Sequence, residues 1–343
     1  MRSQSPPRWR TNVAILLGAV VLYLIGLQVY LSLRAPPTRA GAGYNDSQKT
    51  MWRYSGDPVL RDELVPGWHG IINDSGFVGP DRTKAKPTGA FRIVGLGDSI
   101  TIGDIADEKG VRERGGPITY LSLAEQQLQS RSTRPVETLN FGVPGYDTQQ
   151  EVRQLEVRGL TYQPDLITLG YCLNDWIELP FTVYTSDGVP QLKWGTDDHL
   201  NVIEMMRQQL APASSEKFFQ QSYERPLWKA SVAALTRLAE ISRERKIPAV
   251  VIIFPMLLDF KTYPFAPFHQ KLVALVDGLG MTAVDLLPAF RGANHPTSFR
   301  AQDADTVHPV VAGHGVAAAE LLKVLLAKNY FLPDRKETAA TPR

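Results

Sequence analysis

Residues 92–104 read RIVGLGDSITIGD. A run with the composition of a buried β-strand stops at Gly97-Asp98-Ser99 and then turns apolar again. Three readings compete for that break: an ordinary strand-to-helix turn, a glycine-rich nucleotide loop, and a turn that presents a nucleophile. The nucleotide reading needs Gly-x-Gly-x-x-Gly at the head of a helix. Gly95 and Gly97 supply two of the positions, but Ile100 stands at the third, and the next strand ends in Asn140 rather than an acid. The other two readings are separated only by the rest of the chain.

Beyond Phe91 the sequence keeps a regular rhythm. FRIVGLG, VETLNFG, DLITLGY (165–171), PAVVIIFP (248–255) and MTAVDL read as strands, several of them apolar on both faces. Helical patterns lie between them, over 120–130, 148–160, 227–245 and 268–278, and a last one spans 311–328. Strand alternating with helix predicts a parallel sheet covered on both faces, an α/β sandwich. Residues 180–224 break the alternation and are expected to form an insertion over one sheet edge. Its aromatics (Phe181, Tyr184, Trp194, Phe218, Phe219) suit either packing on that edge or a pocket for sugar rings.

The N-terminus is of another kind. Between Arg10 and Arg34 runs TNVAILLGAVVLYLIGLQVYLSL, without a charge. As a helix it would span roughly 33 Å, enough to cross a bilayer. Arg2, Arg8 and Arg10 precede it, which predicts a cytoplasmic N-terminus and an exported remainder. A signal peptide would have a shorter apolar core, of about 7–15 residues. The expected organisation is a cytoplasmic tail (1–10), a transmembrane anchor (11–33) and a Pro/Gly-rich linker (34–50). An extension packed on the main domain (51–90), that domain (91–330) and a C-terminal tail (331–343) follow.

Composition excludes several functions. A formal net charge of +2 and the lack of a basic stripe argue against nucleic-acid binding. The single cysteine, Cys172, rules out an internal disulfide and any multi-cysteine zinc site. Cys172 ends a buried strand with no basic neighbour, so it reads as core. His295, His308 and His314 show no His-Glu-x-x-His spacing, so neither metal nor cofactor is expected.

In open α/β sheets, ligands bind beyond the carboxyl ends of the strands. Polar residues collect at those ends here. Ser99 follows the first strand, Gly142 and Gly145 (NFGVPGYDT) the second, and Asn174-Asp175 (GYCLND) the third. DADTVHPVVAGHG, with Asp305 and His308, precedes the last helix. Their chemistry is coherent. A serine hydroxyl needs an imidazole to take its proton, and the imidazole needs an acid to fix its tautomer. Ser99, His308 and Asp305 supply those groups, while the Ser99 N–H, a loop glycine N–H and the Asn174 amide could hold an oxyanion. Asp98 reads as a turn residue, because adjacent side chains do not converge on one site, and His314, inside the last helix, reads as structural.

This arrangement resembles the SGNH (GDSL-type) hydrolase family over about residues 91–328. VGLGDSITIG matches the first block and assigns the nucleophile to Ser99. GVPGYDT assigns an oxyanion glycine to Gly145, with Gly142 as the alternative, and GYCLND assigns the oxyanion asparagine to Asn174. DTVHP matches Asp-x-x-His-Pro and gives Asp305 and His308, whereas the third block departs from Gly-x-Asn-Asp by extra residues between Gly170 and Asn174. The resemblance implies a flavodoxin-like three-layer α/β/α sandwich with a mainly parallel five-stranded sheet. It also implies an esterase acting through an acyl-serine, on a short-chain or carbohydrate O-acetyl ester. An O-acetyltransferase of envelope polysaccharide and a non-catalytic glycan-binding protein are the alternatives.

Overall fold

The computed structural model describes residues 51–103, 118–172, 175, 181–184, 190–193, 223–224, 226–261, 263–293, 296–299 and 307–334, with 12–13, 16, 18–20 and 22–27 at the N-terminus. The N-terminal group is helical, and Val13, Leu16, Leu22, Tyr23 and Ile25 are exposed on it. Among the described residues no helix is long and apolar enough to cross a membrane. The rest of the expected span, 28–33 included, lies outside the described residues.

Two short strands, β1 (Trp52–Tyr54) and β2 (Asp62–Leu64), form an antiparallel pair. Then come β3 (Phe91–Gly97), the one-turn helix α1 (Ser99–Ile102), α2 (Tyr120–Gln129), β4 (Val136–Asn140), α3 (Thr148–Val157) and β5 (Leu166–Tyr171). Within the expected insertion, β6 (Phe181–Tyr184) and β7 (Pro190–Lys193) pair antiparallel as a separate ribbon. The chain continues through α4 (Pro226–Arg245), β8 (Ala249–Ile253), α5 (Ala266–Gly278), β9 (Thr282–Asp285), α6 (Leu287–Ala293) and α7 (Val311–Ala327).

The central sheet has the order β4-β3-β5-β8-β9, and every neighbouring pair is parallel. Counted along the chain this is 2-1-3-4-5, the order of flavodoxin-like sheets. Every residue of β3, β4, β5 and β8 is buried, which explains their unbroken apolar runs. The two faces are covered by different helices. A Cβ on Gly95 would strike Leu121 of α2, while Val94, pointing the other way, lies against Gly159 just after α3. Helices α2 and α7 pack together on the first face, and α3 and α4 on the second. The chain reverses direction across the sheet between β3 and β5, which makes their carboxyl ends the topological switch point.

The segment before β3 covers the edge strand β4, whose free backbone groups would otherwise invite strand pairing. The Val78 N–H donates to the Asn140 carbonyl at 3.2 Å. Met51, Leu60, Leu64, Ile72 and Val78 form a small second core with Ile102, Val143 and Tyr146. Those last three residues belong to α1 and to the loop after β4, so this cover braces both.

Candidate active site

Ser99 is the first residue of α1, capped by Asp98, whose Oδ1 accepts from the Ile100 N–H at 2.9 Å. The cap leaves Ser99 half-exposed while Asp98 and Ile100 are buried. Thr101, on the same turn, tucks beneath the strand ends, where a Cβ on Gly97 would come within 1.9 Å of its hydroxyl. The Gly-Asp-Ser break is therefore a helix start whose first residue is lifted clear of the sheet.

His308 stands exposed on the segment before α7, and its Nε2 lies 2.9 Å from Ser99 Oγ. Pro309 keeps His308 out of the helix by restricting the residue before it. The Val310 N–H donates to the Phe299 carbonyl at 2.8 Å, and the Phe299 ring packs 4.7 Å from that of Phe290. The histidine thus projects from an anchored segment. Asp305, expected at its other nitrogen, lies outside the described residues.

The two candidate oxyanion glycines separate clearly. The Gly142 N–H donates to Asn140 Oδ1 at 3.0 Å, and the same Asn140 donates from Nδ2 to the Thr101 carbonyl at 2.7 Å. A Cβ on Gly142 would lie 2.4 Å from the Ile102 backbone nitrogen. Its role is close approach of the loop to α1, and its N–H is already spent. Gly145 sits at φ +83° with open space where a Cβ would be. Its N–H and that of Ser99 donate to no partner among the described residues. The loop then enters α3 through a capping box, in which Asp147 accepts from the Gln149 and Gln150 N–H groups while Gln150 accepts from Asp147. Asn174 lies outside the described residues.

Behind Ser99 is a buried polar network. Asp98 Oδ2 accepts from the Cys172 thiol at 3.0 Å. Asp175 accepts from the Cys172 N–H at 2.9 Å and from the Thr148 hydroxyl at 3.0 Å, and Thr148 meets Ser231, which meets the Tyr171 hydroxyl. Burial, reinforced by the Asp98 charge, pushes the Asp175 carboxyl well above its ordinary range, against the hydrogen bonds from Cys172 and Thr148. Glu151, fully buried in the first turn of α3, is raised in the same way by burial and then by Asp175, Asp98 and Asp147. Both Glu151 oxygens lack a hydrogen-bond partner among the described residues.

Sequence reasoning missed Glu151 because an acid in a first helical turn usually faces water. It read Cys172 as plain core; the residue is buried, but its thiol is hydrogen-bonded. His314 has the expected structural place: buried, its Nδ1 accepts from the Tyr120 N–H at 3.3 Å at the start of α2. Among the described residues no group of three or more His, Cys, Asp or Glu is arranged to hold a metal ion.

Residues 96–316 match the model of the GDSL-like Lipase/Acylhydrolase family. No curated protein matches the chain. Among solved structures, an alpha/beta hydrolase enzyme from the metagenome of Lake Arreo, Spain, is 17% identical, covering 68% of this chain and 94% of that one, with TM-score 0.44. The lipase/acylhydrolase from Enterococcus faecalis is 17% identical, covering 72% and 100%, with TM-score 0.43. An acetylxylan esterase from Geobacillus stearothermophilus is 16% identical, covering 68% and 93%, with TM-score 0.41. The family match spans well over half the chain, through both the Ser99 turn and the His308 segment, and the chain belongs to the GDSL-like lipase/acylhydrolase family of hydrolases that act on ester bonds.

Proposed function

We propose that the protein is an extracytoplasmic serine esterase that removes a short acyl group, with a carbohydrate O-acetyl ester as the first substrate to test. The observation that carries the reading is the 2.9 Å contact of His308 Nε2 with Ser99 Oγ. His308 takes the hydroxyl proton as Ser99 attacks the ester carbonyl, and Asp305 orients the imidazole. The oxyanion is held by the N–H groups of Ser99 and Gly145 and by the Asn174 side-chain amide. Collapse of the intermediate expels the alcohol, which takes the proton back from His308. Water, deprotonated by the same imidazole, then releases the acid and restores Ser99. No step needs a metal or an organic cofactor.

The short acyl preference rests on the absence of a bulky apolar stretch beside the motifs in the sequence. The location rests on the charge-free run after Arg10 and the three arginines before it, which we read as a single-pass anchor with the catalytic domain outside. The decisive assay is p-nitrophenyl acetate hydrolysis by the purified full chain beside Ser99→Ala. Turnover by the parent and its loss in the variant is the expected result; equal turnover by both overturns it. Adding a glycan acceptor then separates hydrolysis from transfer, since acylated glycan in excess of free acid would make the protein a transferase.

A further inference from the structure

The three strand ends that supply Ser99, Gly145 and Asn174 in the proposed function are joined below the surface, and the joint is Cys172. Its thiol donates to Asp98, the cap of the Ser99 helix, at 3.0 Å. Its N–H donates to Asp175 Oδ2 at 2.9 Å, and its carbonyl accepts from the Asp175 N–H at 3.1 Å, which closes the turn after β5. Asp175 Oδ1 in turn accepts from Thr148, which follows the Gly145 loop directly and opens α3. Cys172 and Asp175 are both buried.

We propose that Cys172 is a positioning residue for the nucleophile: its thiol proton fixes Asp98, and through Asp98 the first turn of α1, in register with the turn after β5 and the loop before α3. This goes beyond the esterase assignment and rests on it for the roles of Ser99, Gly145 and Asn174. The physical argument is one of tolerance. An oxyanion donor works only when it is already aimed at the place where charge develops. Three donors on three separate loops hold a common aim only if the loops share a fixed frame. Main-chain bonds tie the β4 loop to β3 through Val143 N–H to Gly97 O at 3.0 Å. Between the Ser99 turn and β5, Thr101 packs against Gly170, and among the described residues a hydrogen bond from the Ser99 cap to the β5 turn is made by the one side chain in the chain that carries a thiol. A thiol is long enough to span that gap and apolar enough to be buried there.

The test is kinetic and uses the full chain with p-nitrophenyl acetate. Cys172→Ala removes the proton donor together with the buried sulfur, and Cys172→Ser, closer in size, restores a donor. The expected result for Cys172→Ala is a kcat lowered roughly tenfold, the equivalent of one misaligned hydrogen bond, with KM within about twofold of the parent. Cys172→Ser should recover most of the lost kcat. Thermal melting of both variants, followed by circular dichroism at the assay temperature, confirms that the populations compared are folded. A Cys172→Ala enzyme with parental kcat, or a Cys172→Ser enzyme no better than Cys172→Ala, overturns the proposal. Ser99→Ala run in parallel keeps the two ideas apart: turnover surviving in Ser99→Ala sinks the esterase site itself, whereas an inert Ser99→Ala beside an unimpaired Cys172→Ala sinks only the positioning role.

Discussion

Ser99 Oγ and His308 Nε2 lie 2.9 Å apart although 209 residues separate them in the chain. One sits on a helix start after β3 and the other on a segment that Pro309 and Phe299 hold out of α7. A serine and imidazole in this relation act as a unit. Ser99→Ala and His308→Ala should each lower kcat by at least about 10³-fold, with the double variant little worse. His314→Ala, which removes an acceptor at the start of α2, should keep most activity in the folded fraction. Steady-state kinetics decide it, and an active His308→Ala beside an inert His314→Ala would give the base to the other histidine.

Gly142 and Gly145 differ by three positions and should fail differently. Alanine at 142 brings a methyl within 2.4 Å of the Ile102 backbone, so α1 must move. Alanine at 145 meets open space and faces only the cost of a positive φ, about 1–2 kcal/mol. Gly142→Ala should therefore lower both melting temperature and kcat strongly, and Gly145→Ala should lower melting modestly. Equal melting losses for the two would contradict the geometry.

What could be read from the sequence follows from the physics of each element. Strands buried on both faces, such as Phe91–Gly97 and Ala249–Ile253, write themselves as continuous apolar runs, and the order of polar residues at their ends pointed to the site. The four-residue α1 was not legible, because one turn holds no period. Nor was the burial of Glu151: its first-turn position is what an exposed, dipole-favoured acid would also show, and only the packing of α3 against α4 and the sheet distinguishes them. The hydrogen bond of Cys172 to Asp98 joins residues 74 apart, so no local pattern could announce it.

Glu151 should make stability fall as pH rises. Its carboxyl is held well above the ordinary 4.5 by burial first and by the neighbouring carboxyls after that. The folded chain therefore keeps a proton that the unfolded chain loses. That stability is fully present below the unfolded value and is lost as pH climbs toward the raised folded value. Glu151→Gln, neutral at every pH, escapes this loss. Its melting temperature should match the parent below about pH 4 and exceed it increasingly as pH rises above the unfolded value. A difference between the two proteins that does not change with pH would show that Glu151 does not titrate in this range.

Arg92 offers the converse case, a charge that must be kept. It is fully buried in β3 directly opposite Glu137 of β4, donating to Glu137 Oε2 from Nε at 2.9 Å and from Nη2 at 2.6 Å. Its Nη1 also donates to the Tyr162 carbonyl at 2.6 Å. Removing the arginine alone takes both short bonds from a nearly buried carboxylate, leaves it facing Arg82 at 3.6 Å, and strands the Tyr162 carbonyl; the cost should fall near the low end of the about 3–5 kcal/mol of a broken buried pair. The pair stands at the amino end of the strand, one residue past Phe91, whereas Ser99 follows the carboxyl end. Arg92→Met should thus unfold at much lower denaturant while the folded fraction keeps parental kcat. Converting both partners, Arg92→Met with Glu137→Met, removes the carboxylate that Arg92 no longer neutralises and should recover part of the loss. Urea titration of the two single variants and the double closes the cycle. If the double variant is as unstable as the sum of the singles, the two charges are not coupled and the loss in Arg92→Met must come from its contacts with backbone carbonyls.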